Sequence, residues 1–163
     1  MNRRTTIMLT GMTLLSIAAF PQSGFAQSDP RNGTWKLNIA KSTYSPGPPP
    51  RSLTLTRISE AAGQGFRSTF EGIDAQGNPV KVVFGPYLYD GKSYPVTGSL
   101  ATDTVSYKTV SDSTTEVTLM KAGKVVGATI IVWSADGKTM TQTATGTDPS
   151  GRPVNNVSVY DRQ

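Results

Sequence analysis

From Gly33 onward, the chain consists of short stretches in which apolar and polar residues alternate. Turn residues end these stretches about every 8–12 residues, and no stretch shows a helical period. Phe66 and Phe70, for example, fall on one face of a stretch whose opposite face carries Arg67 and Glu71. A period of two residues is typical of a half-buried β-strand.

Nine strands are predicted from this alternation. They cover residues 33–38, 51–59, 66–72, 79–85, 104–110, 114–121, 124–134, 139–145 and 157–159. The stretch 124–134 is the most apolar of them, which predicts a central strand that is covered on both faces.

Tight turns join most of the predicted strands. The segments 74–77, 121–124 and 148–151 each combine polar or small residues with a glycine, and Asp-Gly pairs stand at 90–91 and 136–137. Such turns are typical of hairpins, so consecutive strands should be antiparallel neighbours. Because closure removes exposed sheet edges, we predict an all-β, up-and-down meander of about eight to nine strands closed into a barrel. A two-sheet β-sandwich is the alternative.

The N-terminus has the layout of an export signal. Arg3 and Arg4 precede an uncharged stretch from Ile7 to Phe20, and Gly24 and Ala26 place small residues at −3 and −1 of a cut after Ala26. The 14 uncharged residues would rise only about 21 Å as a helix, which is short of a membrane core. Residues 1–26 are therefore predicted to be a cleaved signal peptide, and residues 27–163 a single domain that is periplasmic or secreted.

The composition narrows the classes of function. The net charge of +5 falls to +3 once Arg3 and Arg4 are removed, and the remaining bases are scattered singly, which argues against nucleic-acid binding. The chain has no histidine and no cysteine, the usual ligands of transition metals and the usual partners in nucleophilic catalysis. We therefore predict no metal site, no cofactor and no catalytic residues, and expect a protein that is not an enzyme.

The two ends of the predicted domain resemble lipocalins and fatty-acid-binding proteins. Gly33-Thr34-Trp35 resembles their Gly-x-Trp opening, and the segment from Val157 to Arg162 resembles their last strand. The resemblance implies that Trp35 plugs the closed end of the barrel and that Arg162 packs near it.

A wider resemblance extends over residues 33–47, 90–98 and 153–157. There the chain is similar to exported bacterial proteins of lipocalin-like (calycin) type. This resemblance implies a lipocalin-like barrel rather than a particular activity.

The first hypothesis for function is the binding of a small apolar or amphipathic ligand in the mouth or the interior of the barrel. A barrel of about eight strands has room either for packed side chains or for one small ligand. The candidate lining residues are the inward aromatic ones, namely Phe66, Phe70, Phe84, Tyr107 and Trp133.

The alternative is an interaction protein of the cell envelope that uses its surface loops and has no cavity. Its candidate contacts are Tyr87, Tyr89 and Tyr94, which lie in a loop bounded by prolines. Stable membrane insertion is not expected, because the predicted strands are short and carry charged residues on their outer face.

Replacing Ala26 with Arg should block removal of the signal peptide, because the cleavage site requires small residues at −3 and −1. The intact mass of the protein recovered from an exporting bacterial host is expected to match residues 27–163, whereas Ala26→Arg should retain the peptide. Phe25→Arg, at the tolerant −2 position, is the matched control and should be cleaved. Cleavage of Ala26→Arg at the same bond would contradict the predicted site.

Overall fold

The structure is a computed structural model that describes residues 29–61, 63–148 and 150–163. The predicted signal peptide, residues 1–26, and the predicted start of the domain at Gln27 lie outside these described residues.

Ten β-strands form the described chain, and each pairs antiparallel with its neighbours in sequence. They are β1 (Gly33–Leu37), β2 (Ser52–Ser59), β3 (Phe66–Ile73), β4 (Pro79–Tyr87), β5 (Tyr94–Thr97), β6 (Thr104–Ser111), β7 (Thr114–Lys121), β8 (Lys124–Trp133), β9 (Thr139–Thr147) and β10 (Pro153–Arg162). β1 also pairs with β10, which closes the sheet. The predicted all-β, up-and-down barrel is confirmed, and the alternative of a two-sheet sandwich is wrong.

The strand count is ten rather than eight or nine. The prediction missed β5, which has four residues and contains Pro95. Proline cannot donate a hydrogen bond to a neighbouring strand, so this stretch lacks the pattern of a sheet interior. β5 is a short link that pairs with β4 and β6 through two residue pairs on each side.

β8 is covered on one face only, which corrects the prediction of cover on both. Thr129 and Trp133 are buried inside the barrel, whereas Ile130 and Val132 are 38% and 42% exposed on its outer face. A barrel made of one closed sheet excludes water only from its interior, so the apolar residues of β8 that point outward remain in contact with solvent.

The hairpin turns use the predicted aspartates and glycines. Asp74 Oδ1 accepts a hydrogen bond from the Asn78 amide at 2.8 Å, and Asp148 Oδ1 accepts one from the Arg152 amide at 2.9 Å. Gly77 adopts a φ of +99°, a conformation that other residues rarely take. These local contacts reverse the chain without help from the core.

The segment between β1 and β2 makes one turn of 3-10 helix, Ile39–Lys41, and then follows the barrel wall. Thr43 forms a bridge with Val157 of β10, and the segment continues into the proline-rich residues 45–50. The described residues contain no helix that is long and apolar enough to cross a membrane.

Two groups of buried side chains fill the barrel. The tryptophan cluster consists of Trp35, Leu37, Leu55, Trp133, Met140 and Tyr160. The tyrosine cluster consists of Tyr87, Val96, Val105, Tyr107 and Val117. Ile131 packs against both clusters, so the interior is one continuous core.

Replacing Trp35 with Ala should lower the free energy of unfolding by about 3–5 kcal/mol, because it removes a large side chain from a packed site. Trp35 is 1% exposed, and its ring centroid lies 5.1 Å from that of Trp133. Urea unfolding measures the loss. Val132→Ala, on the outer face, is the control and should cost less than about 1 kcal/mol. Similar losses for the two variants would contradict the placement of Trp35 in the core.

Candidate functional site

One end of the barrel gathers the start of β1 and the ends of β2, β4, β6, β8 and β10, because neighbouring strands run antiparallel. We call it the tryptophan end. Residues 29–32, which lead into β1, lie across it. The turns between β6 and β7 and between β8 and β9 also lie there.

Trp35 and Arg162 come together at the tryptophan end, as the resemblance implies. The Arg162 guanidinium carbon lies 5.2 Å from the centroid of the Trp35 ring, a cation–π distance. Arg162 also donates hydrogen bonds to the backbone oxygens of Pro30 and Asn32, at 2.6 and 2.7 Å. Trp35 Nε1 donates to the backbone oxygen of Arg31. These contacts fasten residues 29–32 over the barrel.

A pocket of about 350 Å³ opens beside the two tryptophans, and we call it the tryptophan pocket. Its lining residues are Asp29, Pro30, Arg31, Trp35, Asp112, Ser113, Trp133, Ser134, Ala135 and Gly137. They come from three separate parts of the chain: residues 29–31 with Trp35 of β1, the β6–β7 turn, and the end of β8 with the β8–β9 turn. Indole rings and charged groups in one concave site suit an amphipathic molecule.

The five predicted lining residues all lie inside the barrel, but they pack against their neighbours. The ring centroids of Phe70 and Phe84 are 5.5 Å apart, and Tyr87 stacks on Tyr107 at 3.9 Å. Phe70, Tyr107 and Trp133 line an internal cavity of only about 30 Å³, whereas Phe66 and Phe84 belong to the packed core. Within the described residues, this internal cavity is too small for a ligand of the predicted kind.

This internal cavity, which we call the arginine cavity, has a mixed lining. Its lining residues are Leu55, Arg57, Ser68, Phe70, Tyr87, Tyr89, Tyr107, Thr115, Ile131, Trp133, Met140 and Gln142. Seven of the twelve carry a polar side-chain group besides the indole of Trp133. A polar centre of this kind is unusual in a small barrel, because each buried polar group must find a partner.

Arg57, on β2, is the most unusual residue of the interior and is 1% exposed. Its Nη2 donates to Asp29 Oδ2 and to the Tyr89 hydroxyl, both at 3.0 Å, and its Nη1 donates to Asn32 Oδ1. The guanidinium carbon also lies 4.0 Å from the centroid of the Phe66 ring. Arg57 was not among the predicted site residues.

A sequence signal for Arg57 does exist. It follows Leu53 and Leu55 at intervals of two residues, so strand alternation places it on the inward face. This signal competes with the general preference of arginine for the surface, because a charged residue is rarely buried without a partner. The partners of Arg57 come from residues 25 to 32 positions away, and local sequence does not reveal them.

Asp29 is shared by two arginines. Its carboxylate accepts from Arg31 Nε at 3.1 Å and from Arg57 Nη2 at 3.0 Å. Burial opposes ionisation of Asp29, but the hydrogen bonds from Arg31 and the charges of both arginines hold the pKa of Asp29 below its usual value. The group therefore carries two positive charges and one negative charge at neutral pH.

Three buried polar atoms in the described residues have no hydrogen-bond partner there: Arg57 Nε, Thr115 Oγ1 and Trp133 Nε1. All three belong to residues that line the arginine cavity. Two of them can only donate, and the hydroxyl can do either.

The tyrosine loop does not present its side chains as predicted. Tyr87 is 2% exposed and lies in the core, so its predicted surface position is wrong. Tyr89 is half-buried and contacts Arg57, while Tyr94 is half-buried and donates from its hydroxyl to Asp90 Oδ1 at 2.8 Å. The β3–β4 pairing explains Tyr87: a bulge between Phe66 and Ser68 shifts the register, so Tyr87 pairs with inward Phe66.

Within the described residues, no group of three or more His, Cys, Asp or Glu side chains could hold a metal ion. Comparison with known proteins gives no match among family models, curated proteins or solved structures. The closed barrel of ten strands is compatible with a lipocalin-like architecture.

Stability should fall as the pH rises from 10 to 12. Burial raises the pKa of Tyr87 to about 12, against the opposing effects of the Arg57 charge and the Ser68 hydrogen bond. A phenol with a higher pKa in the folded state stabilises the fold fully below its unfolded pKa of about 10, and this contribution is lost as the pH passes the folded pKa.

Urea unfolding at pH 9, 10, 11 and 12 measures this loss of stability. A difference of two pKa units between the folded and unfolded states corresponds to roughly 3 kcal/mol for Tyr87. Tyr87→Phe has no titrating group at position 87. Its free energy of unfolding should therefore depend less on pH, whatever its value at pH 9. Equal slopes for the two proteins would contradict the buried phenol as the cause.

Proposed function

We propose that this protein binds a small apolar or amphipathic molecule, and that the binding site is the tryptophan pocket. The observation that carries this proposal is the contrast in volume between the two cavities. The tryptophan pocket measures about 350 Å³, whereas the arginine cavity inside the barrel measures about 30 Å³. Ligand pockets usually start at about 300 Å³, so of these two sites in the described residues the tryptophan pocket alone reaches the size of an organic ligand. A pocket of about 320 Å³ beside Lys36, Ile39 and Asp161 also reaches this size, but no aromatic residue lines it.

The chemistry of the pocket restricts the ligand. Trp35 and Trp133 meet edge to face, with an angle of 66° between their rings, and both contribute to the wall. Both indoles are almost fully buried, at 1% and 8% exposure, so they form the floor of the pocket and offer an apolar group only a small contact area. Asp29, Arg31 and Asp112 offer charge to a polar end of the same molecule. The volume, at the lower end of the usual range, favours a compact ligand over a long acyl chain.

We further propose that the protein is a lipocalin-like binding module that acts outside the cytoplasm and without catalysis. The charged, apolar and small-residue layout of residues 1–26 supports export by a cleavable signal. The absence of histidine and cysteine from the sequence supports a role in binding rather than chemistry.

The alternative, a surface interaction protein of the cell envelope, has less support. It depended on tyrosines exposed in one loop, but Tyr87 is buried and Tyr89 faces Arg57. Only Tyr94 of the three is free to take that role, and its hydroxyl is already hydrogen-bonded to Asp90.

Native mass spectrometry of the protein, purified gently from an exporting bacterial host, is the first test. Reproducible adducts of low mass that disappear on delipidation are expected, and their masses define the class of ligand. A clean mass with no uptake from a bacterial lipid extract would overturn the proposal.

A pair of matched variants tests the location of the site, with the neutral fluorescent probe N-phenyl-1-naphthylamine as ligand. Ala135 lines the tryptophan pocket from the β8–β9 turn, so Ala135→Trp should fill it and weaken probe binding at least about tenfold. Ala75 holds the same position in the β3–β4 turn at the opposite end of the barrel. Ala75→Trp should bind the probe like the natural protein, and equal binding by Ala135→Trp would place the site elsewhere.

A further inference from the structure

The arginine cavity contains an arrangement that the proposed binding of an organic ligand does not use. Arg57 Nε, Thr115 Oγ1 and Trp133 Nε1 have no partner among the described residues, and all three residues line this one cavity. A buried donor that finds no acceptor destabilises the folded chain. Three such atoms, each on a residue that lines one cavity of the described residues, point to an occupant that they share.

The donors decide what kind of occupant fits. The Nε–H of arginine and the indole N–H can only donate, and the threonine hydroxyl can rotate to donate as well. A group that accepts several hydrogen bonds at once satisfies all three. A cation or a second donor would leave them unpaired.

The charged side chains near the arginine cavity also favour an acceptor. Arg57 is 1% exposed and pairs with a single carboxylate, that of Asp29. The same carboxylate also pairs with Arg31. The three groups sum to one positive charge. The nearby phenols of Tyr87 and Tyr107 are neutral at neutral pH, and burial raises the pKa of each further above its ordinary value. A hydrogen-bond acceptor with one negative charge would therefore neutralise the net charge of Arg57, Arg31 and Asp29.

The size of the cavity limits the anion. A volume of about 30 Å³ is close to the share of one water molecule in the liquid. A monatomic anion such as chloride is only slightly larger than water, whereas sulfate, phosphate or a carboxylate requires the packed aromatic rings to move.

We propose that the arginine cavity binds one small monovalent anion of chloride size, held by the side chains of Arg57, Thr115 and Trp133. The arginine cavity and the tryptophan pocket are two cavities that share Trp133 as a lining residue, and the anion does not require the organic ligand. The anion stabilises the barrel, because it binds the folded chain alone.

Bromide is the probe for a direct test, because its anomalous scattering distinguishes it from water. Crystals of the protein grown or soaked in sodium bromide should show an anomalous peak in the cavity, in contact with Arg57 Nε and Thr115 Oγ1. An ordered water there, no peak, or bromide only at the surface would overturn the proposal.

Thermal unfolding gives an independent test in solution. At constant ionic strength, replacing sodium gluconate with sodium chloride or bromide should raise the unfolding midpoint by at least about 2 °C, because gluconate is too large to enter. No difference between the halides and gluconate would count against an internal site.

A matched pair of variants separates the site from general salt effects. Thr115→Val removes one donor with little change in shape and should weaken the halide effect severalfold. Thr129→Val changes another buried threonine, one that does not line the cavity, and should keep the full effect. Ala135→Trp should leave the halide effect unchanged, so this proposal and the proposed ligand site can fail independently.

Discussion

The sheet closes where β1 pairs with β10, through Trp35 with Arg162, Lys36 with Asp161 and Leu37 with Tyr160. Without these pairs, both strands would be free edges and the tryptophan cluster would lose a wall. The same contact places the Arg162 guanidinium over Trp35, and from there it binds the backbone of residues 29–32. The contact between β1 and β10 therefore both closes the barrel and holds residues 29–32 over its tryptophan end.

The cover also makes a buried arginine possible. Asp29 and Asn32, both in the covering segment, bind the guanidinium of Arg57. Because a buried charge without a partner is strongly destabilising, the barrel can hold Arg57 only when this segment is in place. Asp29 and Arg31 also line the tryptophan pocket. Residues 29–32 thus supply partners for the buried Arg57, cover the tryptophan end and form part of the proposed ligand site.

Strand alternation predicted part of the site. Phe66, Phe70, Phe84, Tyr107 and Trp133 lie inside the barrel, where the pattern placed them. Of these five, Trp133 also lines the tryptophan pocket. The rest of that pocket could not be predicted in the same way, because its other walls come from two hairpin turns, from residues 29–31 and from Trp35. Their meeting depends on the tilt and register of the strands, which alternation does not encode.

The sequence by itself determined the strands, the hairpin turns and the meander, because alternation and turn chemistry act over a few neighbouring residues. Only the tertiary structure decided that Pro95 belongs to a strand, that β8 has one solvent face and that Tyr87 points inward. Each of these depends on pairing between strands: the bulge opposite Phe66 reverses the face of Tyr87, and closure into a single sheet exposes Ile130. The burial of Arg57 was decided in the same way, because its partners reach it only when the barrel is closed.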